Sequence, residues 1–257
     1  MEGRSNPTST APAEIHSFYH LRTMAEILTA RDLVLEGMQL QDKERVGAWT
    51  LVGAAISHLL HGNRPYALSR RSHNIIPIPP RGPVEYKSLL ESLTAKLSRT
   101  RGTRGKDVVS GEAFQAPASM LPLEDGSVGL IATSPPFLGT TDFIRQNRLR
   151  LWFAGWDYDR QQREKEGGGF LEFERSLEPY GRILAELYRV LRPGGLLLMH
   201  LGVVNGLDMA AELEPYGTKA GLTPHGRVYE SVDHLESHGR VDRGATKTHA
   251  FLVFEKL

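Results

Sequence analysis

Three features follow one another between Tyr180 and Leu201 and constrain the fold more than any other part of the sequence. Apolar residues recur at helical spacing from Tyr180 to Leu191, and Pro193-Gly194-Gly195 then ends the helix. Leu196–Leu201 follows as a short apolar run. A helix that leads directly into such a run is typical of a parallel sheet with helices packed on it, so the sequence predicts an α/β fold.

Other short apolar runs supply the remaining strands of this predicted sheet. Val128–Thr133 follows the turn signal Glu124-Asp125-Gly126, and Val108-Val109 is a shorter candidate. Near the end of the chain, Arg227–Val232 and Phe251–Phe254 flank a connection that contains glycine. We expect these last two strands to form the antiparallel edge of the same sheet.

The first 105 residues follow a different pattern. Helical periodicity extends over His16–Met38, Lys43–Leu60 and Tyr86–Arg99, whereas four prolines make Ile75–Pro83 an extended arm or loop. The polar residues before Ala13 resemble a disordered tail. The predicted organisation is therefore a tail at 1–12, a helical region at 13–105 and an α/β region at 106–257.

Composition excludes several classes of chemistry. The chain of 257 residues contains no cysteine, and its ten histidines lack the spacing of metal ligands, so we expect neither a disulfide nor a metal. No apolar run approaches the roughly 18 residues that a membrane helix requires. We therefore expect a cytoplasmic protein without a membrane partner.

Positive charge is concentrated in one block, although the net charge of the chain is only +1. Between Arg64 and Lys106 the acidic residues are Glu85 and Glu91 alone. The basic residues of the block are Arg64, Arg70, Arg71, Arg81, Lys87, Lys96, Arg99, Arg101, Arg104 and Lys106. Such a block is typical of phosphate binding, and a solvated charged surface explains it equally well.

The segment Thr133-Ser134-Pro135-Pro136-Phe137 contains the candidate catalytic residues. It follows the predicted strand Val128–Thr133, and ligands of open α/β sheets bind at the carboxyl ends of strands. Two prolines fix the backbone there, which holds the Ser134 hydroxyl and the Pro135 carbonyl as two rigid acceptors.

Two such acceptors suit an aromatic amine, whose nitrogen lone pair is delocalised into the ring. Acceptors that bind both amino hydrogens draw the lone pair out of conjugation, and Phe137 can stack on a base taken out of a duplex. The alternative is a Pro-Pro turn that ends a buried strand, with Phe137 in the core.

Three longer stretches resemble one known family. LPLEDGSVGLIATSPPF, the basic helix DFIRQNRLRLW and ELYRVLRPGG are similar to the amino-methylating DNA methyltransferases that carry a Ser-Pro-Pro-Tyr motif. The resemblance covers about residues 106–257. It implies a Rossmann-like sheet, preceded here by a helical insertion, and S-adenosylmethionine as the cofactor.

The family resemblance also implies roles for individual residues. The catalytic loop is Ser134, Pro135, Pro136 and Phe137, while Thr133 and Glu112 would contact the cofactor. A surface carboxylate explains Glu112 equally well. The expected contacts to DNA are made by Arg64, Arg70, Arg71, Arg81, Arg145 and Arg148. The resemblance further implies DNA methylation in a restriction–modification setting, with cytosine favoured over adenine.

The sequence departs from the family pattern at several points. Phe137 replaces a tyrosine, and Gly129 stands where many members carry an aspartate. The glycine-rich cofactor loop and the acid that holds the ribose are both missing, because Leu51–Ala54 lies in a helical pattern and Gly167–Gly169 in a polar loop. The predicted sheet is therefore incomplete.

Several explanations of the missing motifs stay open. Either a second polypeptide supplies the missing strands, or the chain is a fragment or a degenerate product, or the first helices fill the space. The function likewise has alternatives: a DNA-binding subunit without catalysis, or a methyltransferase acting on RNA or on a protein amide.

The basic block generates a prediction about salt. Because each phosphate contact adds about one to the salt slope of DNA binding, Arg70→Glu with Arg71→Glu is expected to reduce that slope by about two. Binding titrations at several salt concentrations measure it. The control is Lys43→Glu with Arg45→Glu, which makes the same charge change outside the block. Equal salt slopes in the two double variants would contradict the assignment of Arg70 and Arg71 to phosphate binding.

Overall fold

The computed structural model describes residues 10–62, 66–69, 77–79, 82–102, 109, 111–138, 142–166, 171, 176–231 and 246–257. The chain divides into two compact units. The helical unit comprises residues 1–110 and 143–166, and the sheet unit comprises residues 111–142 and 167–257. None of the helices in the described ranges combines the length and apolar character that crossing a bilayer requires.

The helical unit contains six helices within the described residues. They are α1 (Ala13–His16), α2 (Leu21–Gly37), α3 (Lys43–Leu60), α4 (Leu89–Gly102), α5 (Phe143–Phe153) and α6 (Tyr158–Glu166). The helix expected over His16–Met38 is shorter, because the chain bends between α1 and α2 to bury Phe18 and Tyr19. Asp42 caps α3, since its carboxylate accepts hydrogen bonds from the backbone N–H groups of Glu44 and Arg45.

Residues 143–166 belong to the helical unit, which corrects the expectation that residues 106–257 form one region. The physical reason is the apolar side of α5, whose Leu149, Trp152 and Phe153 are buried in the core formed by α2, α3 and α4. The Arg150 guanidinium also donates hydrogen bonds to the carbonyls of Ser57 and His61.

The sheet unit contains five strands and two helices within the described residues. In chain order they are β1 (Val128–Thr133), α7 (Glu178–Val190), β2 (Leu191–Val204), β3 (Leu207–Asp208), α8 (Met209–Lys219), β4 (Thr223–Ser231) and β5 (Thr246–Lys256). The strand order is β1-β2-β5-β4, and β3 pairs with the end of β2. β1 and β2 are parallel, whereas β5 is antiparallel to both β2 and β4.

The predicted α/β class and the incomplete sheet are confirmed, as is the antiparallel edge. β2 begins at Leu191, before the predicted start at Leu196, because Leu191 already pairs with Val128 ahead of the Pro-Gly-Gly turn. The strand predicted at Val108-Val109 is wrong for Val109, which is exposed and lies outside any strand. Val108 lies outside the described residues.

Helix α7 fixes the segment that leads into β1. The Glu186 carboxylate accepts a hydrogen bond from the backbone N–H of Leu121, and the Arg189 guanidinium donates to the carbonyl of Leu123 and to Asp125. Arg189 also bonds Glu186 directly and, as the main cause, lowers the pKa of that carboxyl to about 2. These contacts hold β1 in place from its amino end.

The two faces of the sheet differ in burial. α7 and α8 cover one face, where Leu197, Leu201 and Phe254 are fully buried. The other face carries Leu130 and Val228, which are 63% and 61% exposed. We call this second surface the open face; within the described residues β1 pairs only with β2, so the outer edge of β1 is unpaired as well.

Close packing of α8 on β5 generates a prediction. A Cβ atom at Gly217 would lie 2.3 Å from the Phe254 ring, so Gly217→Ala is expected to lower the free energy of unfolding by about 1–3 kcal/mol. Gly181→Ala in α7 is the control, because a Cβ there meets Tyr216 at an ordinary 3.5 Å. The free energy of unfolding of Gly181→Ala should rise by about 0.5–1 kcal/mol, since alanine favours a helix interior more than glycine does. Urea unfolding measures both, and an unchanged stability of Gly217→Ala would contradict the packing.

Candidate functional site

The loop Ser134–Phe137 begins where β1 ends. Thr133, the last residue of β1, pairs with Met199 of the parallel strand β2. Ser134, the first residue after β1, and His200, the residue after Met199 in β2, are therefore neighbours, and Ser134 Oγ lies 3.0 Å from His200 Nδ1. The parallel register thus places a hydroxyl at the carboxyl end of β1 against an imidazole within the second half of β2.

A second histidine extends this contact. His200 Nε2 lies 2.6 Å from Nδ1 of His249 in β5. The two side chains share the open face, because Gly202 of β2 pairs with His249 and alternate residues of a strand point to the same side. Ser134, His200 and His249 consequently form a continuous hydrogen-bonded chain, which we call the Ser-His-His chain.

Aromatic rings hold the His200 imidazole in place. Phe251 stacks on it with ring centroids 5.0 Å apart and an interplanar angle of 28°. Phe137 meets it edge-on at 5.7 Å. The Phe137 ring also covers Gly202, where a Cβ atom would lie 2.7 Å from the ring. Only glycine at position 202 therefore allows the loop to approach the sheet this closely.

The loop backbone is anchored from the covered side of the sheet. The hydroxyl of Tyr180, a fully buried residue of α7, donates a hydrogen bond of 2.7 Å to the Pro136 carbonyl. No donor among the described residues bonds the Pro135 carbonyl, the second predicted acceptor. The structure thus brings Ser134, Pro135, Pro136 and Phe137 together as one rigid loop.

Electrostatics favour a neutral His200. Burial lowers the pKa of His200, and the neighbouring His249 lowers it further, while the Glu230 carboxylate acts in the opposite direction. A neutral imidazole has one nitrogen lone pair available, so His200 can accept a proton at neutral pH.

Thr133 and Glu112, the predicted cofactor residues, have no cofactor site completed around them by the described residues. Thr133 is half-buried at the end of β1, and Glu112 is exposed on a segment without helix or strand. The described helix starts of the sheet unit show no open anion site: Asp208 fills the start of α8 by accepting from Ala210 and Ala211, and α7 begins with a proline in its first turn. The described residues therefore do not complete a site for S-adenosylmethionine.

The predicted DNA contacts have mixed outcomes. Arg64, Arg70, Arg71 and Arg81 lie outside the described residues, and Arg145 is exposed on α5. Arg148 is half-buried in the helical unit, where it pairs with Glu14, donates a 3.0 Å hydrogen bond to the Pro77 carbonyl and lies over the Phe18 ring. These contacts give Arg148 a packing role, and its contact with DNA stays a prediction.

Sequence reasoning missed His200, His249 and Tyr180. The available signal for His200 was a polar residue inside the apolar run Leu196–Leu201, at the carboxyl end of a predicted strand. His249 and Tyr180 gave no comparable local signal. Within the described ranges, no group of three or more histidine, aspartate or glutamate side chains could hold a metal ion.

Comparison with known proteins gives partial likenesses. No family model matches the chain. A stretch of 96 residues, 37% of the chain, is 33% identical to the release factor glutamine methyltransferase of Nitratidesulfovibrio vulgaris strain Hildenborough. The chain spans 29% of the length of that relative.

Solved structures overlap with parts of the chain. A Thermus thermophilus protein, provisionally described as a DNA modification methylase, is 19% identical and has a TM-score of 0.34 over 55% of this chain and 52% of that one. A SAM-dependent methyltransferase of Methanosarcina mazei is 14% identical, with a TM-score of 0.38 over 64% and 76%. Both TM-scores are too low to decide the fold or the chemistry.

Proposed function

We propose that this chain carries the catalytic part of an S-adenosylmethionine-dependent enzyme that methylates the exocyclic amino group of a DNA base, with cytosine favoured over adenine. The observation that supports it most directly is the rigid Ser-Pro-Pro-Phe loop at the carboxyl end of β1, with its serine hydroxyl bonded to His200. Parallel α/β sheets bind their ligands at this edge.

The loop offers the two acceptors that a planar amine requires. Ser134 Oγ and the Pro135 carbonyl each accept one amino hydrogen, which withdraws the nitrogen lone pair from the aromatic ring. The two prolines and the Tyr180 bond to Pro136 keep these acceptors fixed, so little entropy is lost when the amine binds.

The aromatic side chain beside the loop has a binding role in this proposal. Phe137 is half-buried, so part of its ring is exposed to a base taken out of the duplex. Phosphate contacts are assigned to the basic segment with Arg64, Arg70, Arg71 and Arg81 and to the exposed Arg145 of α5.

S-adenosylmethionine supplies a methyl carbon on a positively charged sulfur. Its site is incomplete in the described residues, and we propose that a second polypeptide provides the glycine-rich turn and the acid for the ribose. The unpaired edge of β1 supports this proposal, since an exposed strand edge offers a row of N–H and C=O groups for pairing. The apolar open face offers a surface for covering helices.

A protein glutamine amide is the second candidate substrate. The 33% identity to a release factor glutamine methyltransferase over 96 residues favours it, and an amide has the same planar NH₂ group as a base amine. Assays that offer duplex DNA and a glutamine-containing peptide side by side separate the two substrates. A DNA-binding subunit without catalysis is disfavoured by the intact hydrogen bond between Ser134 and His200.

The serine generates the central prediction about turnover. Ser134→Ala is expected to lower kcat by about 10² or more while DNA affinity changes little, because an acceptor used in the transition state is lost. Single-turnover methylation and DNA binding measure the two effects. Ser127→Ala in the turn before β1, where the hydroxyl bonds only the Glu124 carbonyl, is the control. Equal turnover of both variants would remove Ser134 from the mechanism.

The incomplete cofactor site generates a binding prediction. The isolated chain is expected to bind S-adenosylmethionine weakly or not at all, because its sequence has no glycine-rich cofactor loop and the described residues offer no open anchor for the carboxylate or ribose end of the ligand. Calorimetry on the purified chain tests this. Adding the protein of the adjacent upstream reading frame should restore binding and methylation if that frame encodes the missing strands. Micromolar binding without any partner would contradict the split site.

A further inference from the structure

The Ser-His-His chain links three groups through two hydrogen bonds, so their protons cannot be placed independently. If the Ser134 hydroxyl donates to Nδ1 of His200, then Nε2–H of His200 must donate to Nδ1 of His249. In the opposite arrangement, Nδ1–H of His249 donates to His200 and Nδ1–H of His200 donates to the hydroxyl. A proton entering at the serine end therefore shifts every proton along the chain.

We propose that Ser134, His200 and His249 form a proton relay that removes a proton from the amino group held at Ser134. This proposal rests on the proposed function. The amine nitrogen becomes positively charged as it gains its methyl group from a sulfonium donor. An N–H bond then breaks, and its electron pair stays on the nitrogen.

The proton is conserved along the relay. It passes to Ser134 Oγ while the hydroxyl proton of Ser134 passes to Nδ1 of His200. The proton on Nε2 of His200 passes to Nδ1 of His249, which leaves His249 as an imidazolium. Solvent can then take the proton from His249, which is only partly buried.

The surroundings of His200 suit an acceptor at neutral pH. His249 faces it from β5, the Glu230 carboxylate lies on β4 opposite His249, and the uncharged Ser134 faces it from the loop. The pKa of His200 is lowered by burial first and by His249 second, against the opposing effect of Glu230. The imidazole is thus neutral above this lowered pKa and loses its acceptor nitrogen below it.

Packing keeps the imidazole aimed at the serine. Phe251 stacks on one side of the ring and Phe137 meets it edge-on, as described above. A hydroxyl alone is too weak a base to keep a proton, whereas a neutral imidazole is a much stronger base and accepts one. Without His200 the loop would bind the amine but could not accept its proton.

The first test needs no activity. Nitrogen-15 spectra of the ring nitrogens in the isolated full chain at neutral pH should show Nδ1 of His200 without a proton and Nε2 with one. Ser134→Ala should change the Nδ1 shift of His200 and, through the second bond, the shift of His249. Protonation of His200 at Nδ1 at neutral pH would overturn the relay. A nitrogen-15 shift of His249 that is the same in Ser134→Ala as in the wild type would overturn it as well.

The second test uses single-turnover methylation by the full chain, with the upstream protein added if the chain requires it. His200→Gln and His249→Gln keep hydrogen-bonding groups but cannot hold a proton. Each should lower the rate about 10²-fold or more with unchanged substrate affinity, the range expected for general base catalysis. The wild-type rate should fall as the pH drops through the lowered pKa of His200, and His200→Gln should lose this dependence.

His225→Gln is the matched control, because His225 lies on β4 of the same unit and pairs with Glu255 outside the relay. A wild-type rate in His200→Gln, with the wild-type enzyme active, would overturn the relay and leave the proposed function standing. A wild-type enzyme that methylates neither duplex DNA nor a glutamine peptide would overturn the proposed function and the relay with it. Thermal unfolding of each variant identifies losses that come from misfolding.

Discussion

The parallel pairing of β1 with β2 is the constraint on which the candidate site depends. Thr133 opposite Met199 makes Ser134 the neighbour of His200, and the antiparallel pairing of β2 with β5 then brings in His249. A slip of one residue would turn His200 toward the covered face. The apolar residues that fill that face, such as Leu197 and Leu201, oppose such a slip because they would become exposed. Core packing and site geometry are thus fixed by the same register.

Residues of helix α7 hold the chain in place on both sides of β1. Glu186 and Arg189 hold the segment before the strand, while Tyr180 holds the loop after it. These residues lie on one helix whose apolar side, with Leu184 and Leu187, is buried against the sheet. The rigidity that a preorganised acceptor pair needs therefore comes from the core rather than from the loop alone.

The candidate site lies on the open face of the sheet unit. Ser134, Phe137, His200 and His249 share the open face with exposed apolar residues such as Leu130, and β1 has an unpaired edge within the described residues. Another element that covers this face would further bury His200, and burial is the main reason that its pKa is low. Completion of the sheet and proton acceptance at the loop are therefore physically linked.

The sequence by itself determined the local features: most of helix α7, the strand Val128–Thr133 and the rigid loop that follows, although α7 already ends at Val190, before the Pro-Gly-Gly turn. These depend on periodicity and turn residues within a few positions. Only the tertiary structure decided that α5 packs in the helical unit and that Val109 stays outside the sheet. It also joined Ser134 to His200 and His200 to His249, which are 66 and 49 residues apart. Such contacts arise from the register between distant strands, which the local pattern of neither strand contains.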